Sequence, residues 1–138
     1  MIEKIYCKEE MVAIIIRSNF DKAGIEFVTP GDFSQQMAYM HHPKGYNILP
    51  HFHNEVKRTV HYTQETLVIK KGKIRVNFYD SNCKYQKNVV IQEGDVILLA
   101  GGGHGFEILE ETIMIEIKQG PYAGEADKTR FYPVGQEG

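Results

Sequence analysis

One pattern runs through almost the whole chain. Short runs of β-branched and aromatic residues alternate apolar and polar positions with a period of two. In the run KIRVNFYD, for example, Ile74, Val76 and Phe78 fall on one face. The breaks carry Gly, Pro, Asn or Asp, and no segment has a helical period. The pattern predicts an all-β fold, with strands at 12–16, 24–30, 35–42, 47–53, 65–71, 73–80, 87–92, 95–100, 105–109 and 112–119.

The length and charge of the chain narrow its organisation and its partners. A chain of 138 residues is expected to form a single domain, residues 1–138, with a core at about 12–119. The extension at 120–138 is expected to fold over an edge or mouth of that core. The formal net charge is -2 and the two signs are interspersed, so no basic patch for nucleic acid or a membrane surface is expected. The expected partner is a small molecule.

The cysteines and the N-terminus favour a cytoplasmic location. Cys7 and Cys83 are too few and too isolated to form a disulfide framework, and free thiols suit a reducing compartment. The longest apolar run near the N-terminus, MVAIII, is bounded by charge. It is too short for a membrane span and does not resemble a signal peptide, so a buried strand is predicted there.

Histidine and glutamate side chains suggest a metal site. On a strand, His51 and His53 point the same way, roughly 6–7 Å apart, and can share one ion. Glu65 begins the run ETLVIKKG, where alternation places it on the same face as Leu67 and Ile69. A lone buried carboxylate is costly, and a cation with imidazole partners offsets that cost. Imidazole nitrogen and carboxylate oxygen are suitable ligands for a divalent first-row metal.

Other histidines and one further carboxylate leave alternatives open. His104 follows three glycines, which can take backbone conformations that swing the next side chain inward. Glu55 and His61 lie between His53 and Glu65 and remain alternatives to Glu65 as a ligand. The adjacent pair His41-His42 is expected to be structural or exposed, since neighbouring residues of a strand face opposite sides.

The spacing of these residues resembles the first motif of the cupin superfamily, G-x5-H-x-H-x3,4-E-x6-G. Gly45 is followed by five residues and then by His51 and His53, and Glu65 is followed by six residues and then by Gly72. The gap between His53 and Glu65 is eleven residues, longer than the family pattern, which predicts a longer loop.

The second cupin motif, G-x5-P-x-G-x2-H-x3-N, is matched in part. Gly94 is followed by DVILL, but Ala100 replaces the proline, His104 comes one residue early, and Ile108 or Leu109 stands near the place of the asparagine. The resemblance implies a double-stranded β-helix, a jelly-roll barrel. It also implies a divalent ion, either iron, manganese, zinc or nickel, held by a set of four ligands: His51, His53, Glu65 and His104.

Three residues of the long loop are candidates for work on a substrate at such a site. Arg58 is suited to clamp an anion, although a solvated loop charge is the alternative. Tyr62 can supply a hydroxyl or a proton, or can serve packing alone. His61 is an exposed loop residue, a substrate contact or an alternative ligand.

The resemblance favours a metal more strongly than any one reaction. The expected function is a metal-dependent enzyme acting on a polar small molecule, with sugar or sugar-nucleotide isomerisation or epimerisation and metal-dependent oxygenation as the expected reactions. A non-catalytic binding or sensor protein is the alternative. Cupins of this size are often homodimers, and the apolar strand near 12–16 is suited to cross to a partner's sheet.

Overall fold

The computed structural model describes residues 1–135, and these form antiparallel sheets with one short 3-10 helix at Gly124–Asp127. The all-β prediction is confirmed. The strands of the described part are β1 (Ile2–Cys7), β2 (Glu10–Ile16), β3 (Gly24–Phe27), β4 (Ala38–His41), β5 (Glu65–Lys71), β6 (Lys73–Tyr79), β7 (Tyr85–Gln92), β8 (Val96–Leu99), β9 (Gly103–Ile108) and β10 (Ile113–Lys118).

The prediction was wrong in two places. Residues 42–64, called the connecting segment below, contain no strand, so the strand predicted at 47–53 is absent. The period-two pattern there is interrupted by Pro50, and no neighbouring strand pairs with it. In contrast, β1 was not predicted, because its sequence IEKIYC has no period-two alternation of apolar and polar residues.

The strands form two sheets and a ribbon. The five-stranded sheet has the order β1-β2-β8-β5-β10, the three-stranded sheet has the order β7-β6-β9, and β3 pairs with β4 in a separate ribbon. All the pairs are antiparallel. Within residues 1–135 these sheets do not close into a barrel.

The main core lies between the five-stranded and the three-stranded sheets. Alternation brings Leu67 and Ile69 of β5 against Ile74, Val76 and Phe78 of β6, and all five are buried. Burying side chains of this size stabilises a fold by about 1.5–3 kcal/mol each relative to an exposed position. This interface is therefore the main source of stability, as the alternation predicted.

A second cluster covers the other face of the five-stranded sheet. Ile14 and Leu98 point to that face and pack with Val28 and Met37, which flank the β3–β4 ribbon. Since β2 is buried on both faces, its run of apolar residues does not alternate. β2 also pairs with β1 on one side and with β8 on the other. The strand near 12–16 thus has no free edge with which to cross to a partner.

The glycines of KKGK and QEGD stand between two strand patterns, which predicts a tight hairpin at each, but both mark passages between the sheets. Gly72 joins β5 of one sheet to β6 of the other, so these strands do not form the predicted hairpin. Its φ is +96°, and a Cβ placed on it would lie 2.2 Å from the carbonyl oxygen of Glu111. Only glycine fits this close approach without displacing the backbone. Gly94 similarly links β7 to β8 and donates its N–H to the carbonyl of Ile69.

Asp95 ties the ends of several strands together. It is 2 % exposed and accepts hydrogen bonds from the backbone N–H groups of Ser18 and Gln92. Arg17 also donates to it at 3.0 Å and bonds Glu3 of β1 at 2.9 Å. The buried carboxylate is thus paired and fully bonded, as burial of a charge requires.

The edge strands of the two sheets include β9 and β10. Within the described residues, β9 pairs with β6 alone and β10 pairs with β5 alone. Phe106 and Ile108 share the inward face of β9 with His104, because they lie opposite Val76 and Ile74, yet they are partly exposed. The space between these two edges is called the open side below. None of the helices in residues 1–135 is long and apolar enough to cross a membrane.

Candidate functional site

Glu65 and His104 meet at the open side. Glu65 is the first residue of β5 and His104 is the second residue of β9, so each sheet contributes one of them. His104 lies opposite Phe78 of β6, which turns its ring toward the core. Its Nε2–H donates to Oε1 of Glu65 at 2.8 Å. The sequence predicted both residues as inward-facing members of one site, and the structure brings them into contact.

The hydrogen bond between Glu65 and His104 is largely withdrawn from solvent. The Glu65 side chain is 13 % exposed and that of His104 is 28 % exposed. The hydrogen bond from His104 lowers the pKa of Glu65 to about 2, against the opposing effect of burial. Glu65 is therefore a carboxylate at neutral pH and keeps lone pairs for a further partner.

A second carboxylate stands beside Glu65. Glu116 of β10 shares the inward face with Lys118, which lies opposite Glu65 in the strand register. Its side-chain hydrogen bond with Glu65 raises the pKa of Glu116, and burial adds to this effect. Two adjacent carboxyl groups resist double ionisation, so Glu116 holds its proton to a higher pH than an isolated glutamate does.

The C-terminal extension closes one end of this cluster. Asp127, the last residue of the 3-10 helix, pairs with Lys118 at 3.6 Å and accepts a hydrogen bond from the hydroxyl of Thr63. The extension therefore packs against the end of β10 and against the residues just before β5.

Glu116, Lys118 and Asp127 were not predicted as site residues. In TIMIEIK, alternation predicts an apolar, buried face of Ile113, Ile115 and Ile117, but these three are about half exposed. The polar face of β10 points inward instead, with Met114 packed against the core. The pairing of β10 with β5 determines this choice, and a single strand's alternation does not reveal which of its faces is buried.

His51 and His53 lie near each other on the connecting segment. Their ring centroids are 5.2 Å apart and both side chains are exposed. Nδ1–H of His51 donates to the carbonyl of Leu49 at 2.8 Å, which leaves its Nε2 as the free lone pair. Their proximity does not come from strand alternation, since no strand forms here.

The four predicted ligands are therefore arranged as two pairs. In residues 1–135, no three or more His, Cys, Asp or Glu side chains lie close enough together to hold one ion. The donor types fit a divalent metal, as do the ionised state of Glu65 and the free Nε2 of His51. What this conformation lacks is the approach of one pair to the other.

The remaining predicted site residues also lie on the connecting segment. The alternative ligands Glu55 and His61 are exposed, as are the catalytic candidates Arg58 and Tyr62. Tyr62 is 78 % exposed. Within the part of the chain that the structure describes, the side chains of these four residues form no hydrogen bond or ion pair with Glu65 or His104.

The adjacent pair His41-His42 has structural contacts. His41 pairs through Nδ1 with the carboxylate of Asp21, an interaction that lowers the pKa of Asp21. The ring of His42 stacks on Tyr46 with centroids 4.2 Å apart. These contacts agree with the interpretation of the pair as structural.

Comparisons with family models, with curated proteins and with solved structures gave no match to this chain.

Proposed function

We propose that this chain is a divalent metal-binding protein of the cupin type that acts on, or binds, a polar small molecule. The observation that carries the proposal is the contact between Glu65 and His104 across two sheets, with the carboxylate held ionised. A buried, ionised carboxylate beside an imidazole is suited to a metal cation.

The proposal requires the connecting segment to approach the open side. The segment exposes large apolar side chains, among them Leu49 at 81 % and Phe52 at 95 %. Beside it, β9 offers a free edge and the exposed inward-facing residues Phe106 and Ile108. If residues 47–53 paired as a strand with the free edge of β9, they would cover Phe106 and Ile108 and place His51 and His53 beside His104. Such a strand would also complete the double-stranded β-helix.

When bound, the ion would supply Lewis acidity, or oxygen activation if it is iron. Three neutral imidazoles and one carboxylate leave a divalent ion at net +1, which favours an anionic oxygen of the ligand. Glu116, whose pKa is raised by its hydrogen bond with Glu65, would lie beside this ligand. Arg58, His61 and Tyr62, on the same segment as His51 and His53, would contact the substrate as that segment closes.

Sugar or sugar-nucleotide isomerisation or epimerisation and metal-dependent oxygenation are the reactions we propose for an enzyme of this kind, in a cytoplasmic homodimer. The exposure of Arg58, His61 and Tyr62 favours the second candidate, a non-catalytic binding or sensor protein. Catalysis requires groups held in place, and these three are not held in this conformation. Turnover of a bound ligand would separate the two candidates.

Elemental analysis of untagged protein, purified without chelator, tests the proposal. We expect about one equivalent of iron, manganese, zinc or nickel per chain, because the four ligands form a single site. His51→Ala and His104→Ala are each expected to lose the metal while retaining the far-UV spectrum of a β protein. His41→Ala is the matched control, because His41 pairs with Asp21 away from the site.

Two results would overturn the proposal. One is a wild-type protein that holds no metal after reconstitution with each of the four ions in turn. The other is metal retained in His104→Ala, which would place the ion elsewhere. Loss of folding together with loss of metal would assign the ion a structural role and favour the non-catalytic candidate.

A further inference from the structure

The outer face of the three-stranded sheet carries a cleft that is separate from the Glu65–His104 site. Its volume is about 750 Å³, within the range of about 300–1,000 Å³ that small-molecule sites occupy. Along β9, His104 points inward, whereas Gly103 and Gly105 lie on the outer face. One strand thus separates the two locations.

Gly105 forms the floor of the cleft and lies opposite Asn77 in the register. A Cβ placed on Gly105 would find its nearest atom, a ring carbon of Tyr79, at 3.8 Å. The absence of a side chain at this position leaves open space beside the sheet, in which a ligand can approach the backbone. At Gly103, in contrast, the ring of Phe131 fills this space.

Aromatic rings form one wall. Tyr79 lies edge-on to Tyr85, with centroids 6.0 Å apart and planes at 71°. Phe131 packs edge-on to Tyr79 from the other side at 5.5 Å. Pro133 lines the cleft next to these rings, and the N–H of Val134 donates to the carbonyl of Cys83, which fixes this part of the C-terminal extension.

Planar polar side chains form the rest of the cleft lining. Glu107 accepts hydrogen bonds from Asn77 at 3.0 Å and from Arg75 at 3.2 Å, through the same oxygen Oε2. These bonds lower the pKa of Glu107 and keep it ionised. Asn88 donates to the hydroxyl of Tyr85 at 2.6 Å. The second oxygen of Glu107, the remaining guanidinium N–H groups and the amide oxygens stay available, so the cleft offers donors and acceptors together.

The charge of the cleft and the orientation of its aromatic rings favour one class of ligand over others. In the described part of the chain, Arg75 is the basic side chain that lines the cleft, and Glu107 neutralises it. A phosphate or other strong anion would find no unpaired cation. The inclined rings of Tyr79 and Tyr85 leave no parallel slot for a flat base. A hydroxyl-rich ring both donates and accepts hydrogen bonds and presents C–H groups to an aromatic face.

We propose that this cleft, lined by Arg75, Asn77, Tyr79, Tyr85, Asn88 and Glu107 with Gly105 at its floor, binds a neutral saccharide. The ring of Tyr85, which is 47 % exposed, receives the apolar face of the sugar. Asn77, Asn88 and Glu107 bond its hydroxyl groups. The cleft requires neither a metal ion nor the connecting segment.

A titration followed by ¹H–¹⁵N NMR tests the proposal. The probes are methyl glycosides of glucose, galactose and mannose, together with maltose and N-acetylglucosamine. We expect saturable shifts of the backbone amides of Gly103 and Gly105 and of the side-chain amides of Asn77 and Asn88. EDTA treatment is expected to leave these shifts in place, so failure of the metal site would not be mistaken for failure of this one.

Two substitutions test whether the saccharide binds in this cleft. Tyr85→Ala is expected to weaken binding about fivefold, the loss expected of one stacked ring. Gly105→Ala adds a methyl group that meets no atom closer than 3.8 Å, so the fold is retained while the floor is raised and affinity falls. Tyr122→Ala is the matched control, since Tyr122 is 88 % exposed and lies outside the cleft.

Three results would overturn the proposal. The first is the absence of saturable shifts at Gly103 and Gly105 for every probe. The second is an affinity unchanged in both Tyr85→Ala and Gly105→Ala. The third is displacement of the saccharide by adenosine monophosphate or inorganic phosphate, which would assign the cleft to an anion.

Discussion

Glu65 combines an ionised side chain, a largely buried position and contacts with residues of two other strands. Its place on the inward face of β5 could be predicted from alternation with Leu67 and Ile69. Its contact with His104 agrees with the shared site that the sequence suggested. Its contact with Glu116 could not be predicted, because that depends on β10 pairing beside β5 in a register that the sequence does not reveal.

The low pKa of Glu65 makes a prediction for stability in acid. The folded-state pKa, about 2, lies below the ordinary 4.5, so Glu65 stabilises the fold above the ordinary value. This contribution is lost as the pH falls from 4.5 toward 2. We expect Glu65 to contribute about 2 kcal/mol to the free energy of unfolding of the metal-free protein. This is less than its own pKa shift would give, because the raised pKa of Glu116 acts in the opposite direction.

Urea unfolding of EDTA-treated protein across this pH range measures the effect. Glu65→Gln is expected to remove about 2 kcal/mol near neutral pH and to flatten the acid limb of the stability profile. Glu9→Gln, at an exposed position, is the control and should follow the wild type. Parallel profiles for wild type and Glu65→Gln would contradict the assignment.

At the scale of elements, the period-two pattern located most strands to within a few residues. It failed at 47–53, where alternation is present but no partner strand accepts it. It also assigned hairpins to Gly72 and Gly94, because a glycine between two strands has the same sequence signature whether the strands pair or part to different sheets. Pairing is a long-range property, and local patterns do not encode it.

Asp95 provides the prediction at this scale, since it joins the end of β2 to the turn between β7 and β8. Asp95→Ala would leave the N–H groups of Ser18 and Gln92 without their acceptor and Arg17 without one partner. We expect a loss of about 3 kcal/mol in the free energy of unfolding. Asp32→Ala, at an exposed position, should change it by less than about 0.5 kcal/mol. An equal, small effect of both substitutions in chemical denaturation would refute this role.

At the scale of the whole molecule, the balance of exposed and buried apolar surface is uneven. The core side chains between the sheets are buried, yet the connecting segment exposes Leu49 and Phe52. Large apolar side chains exposed along one segment are typical of an interaction site. The sequence suggested a dimer through the strand near 12–16, but β1 and β8 occupy both edges of that strand. The connecting segment is the better candidate for association.

We therefore expect a homodimer that buries this segment. Sedimentation velocity should give twice the chain mass of 15.8 kDa for the wild type. The double variant Leu49→Ser/Phe52→Ser should shift it to the monomer, because each substitution removes apolar area that association would bury. Tyr122→Ala, exposed outside the segment, should remain dimeric. A wild-type monomer at all concentrations would exclude this arrangement.

The two faces of β9 have a thermodynamic consequence. His104 on one face and Gly103 and Gly105 on the other share a single backbone. If a metal on the inner face and a saccharide on the outer face both contact this strand, any effect of one on the affinity of the other must be reciprocal. The saccharide affinity, measured with and without metal, would then give the coupling free energy between two sites that are one strand apart.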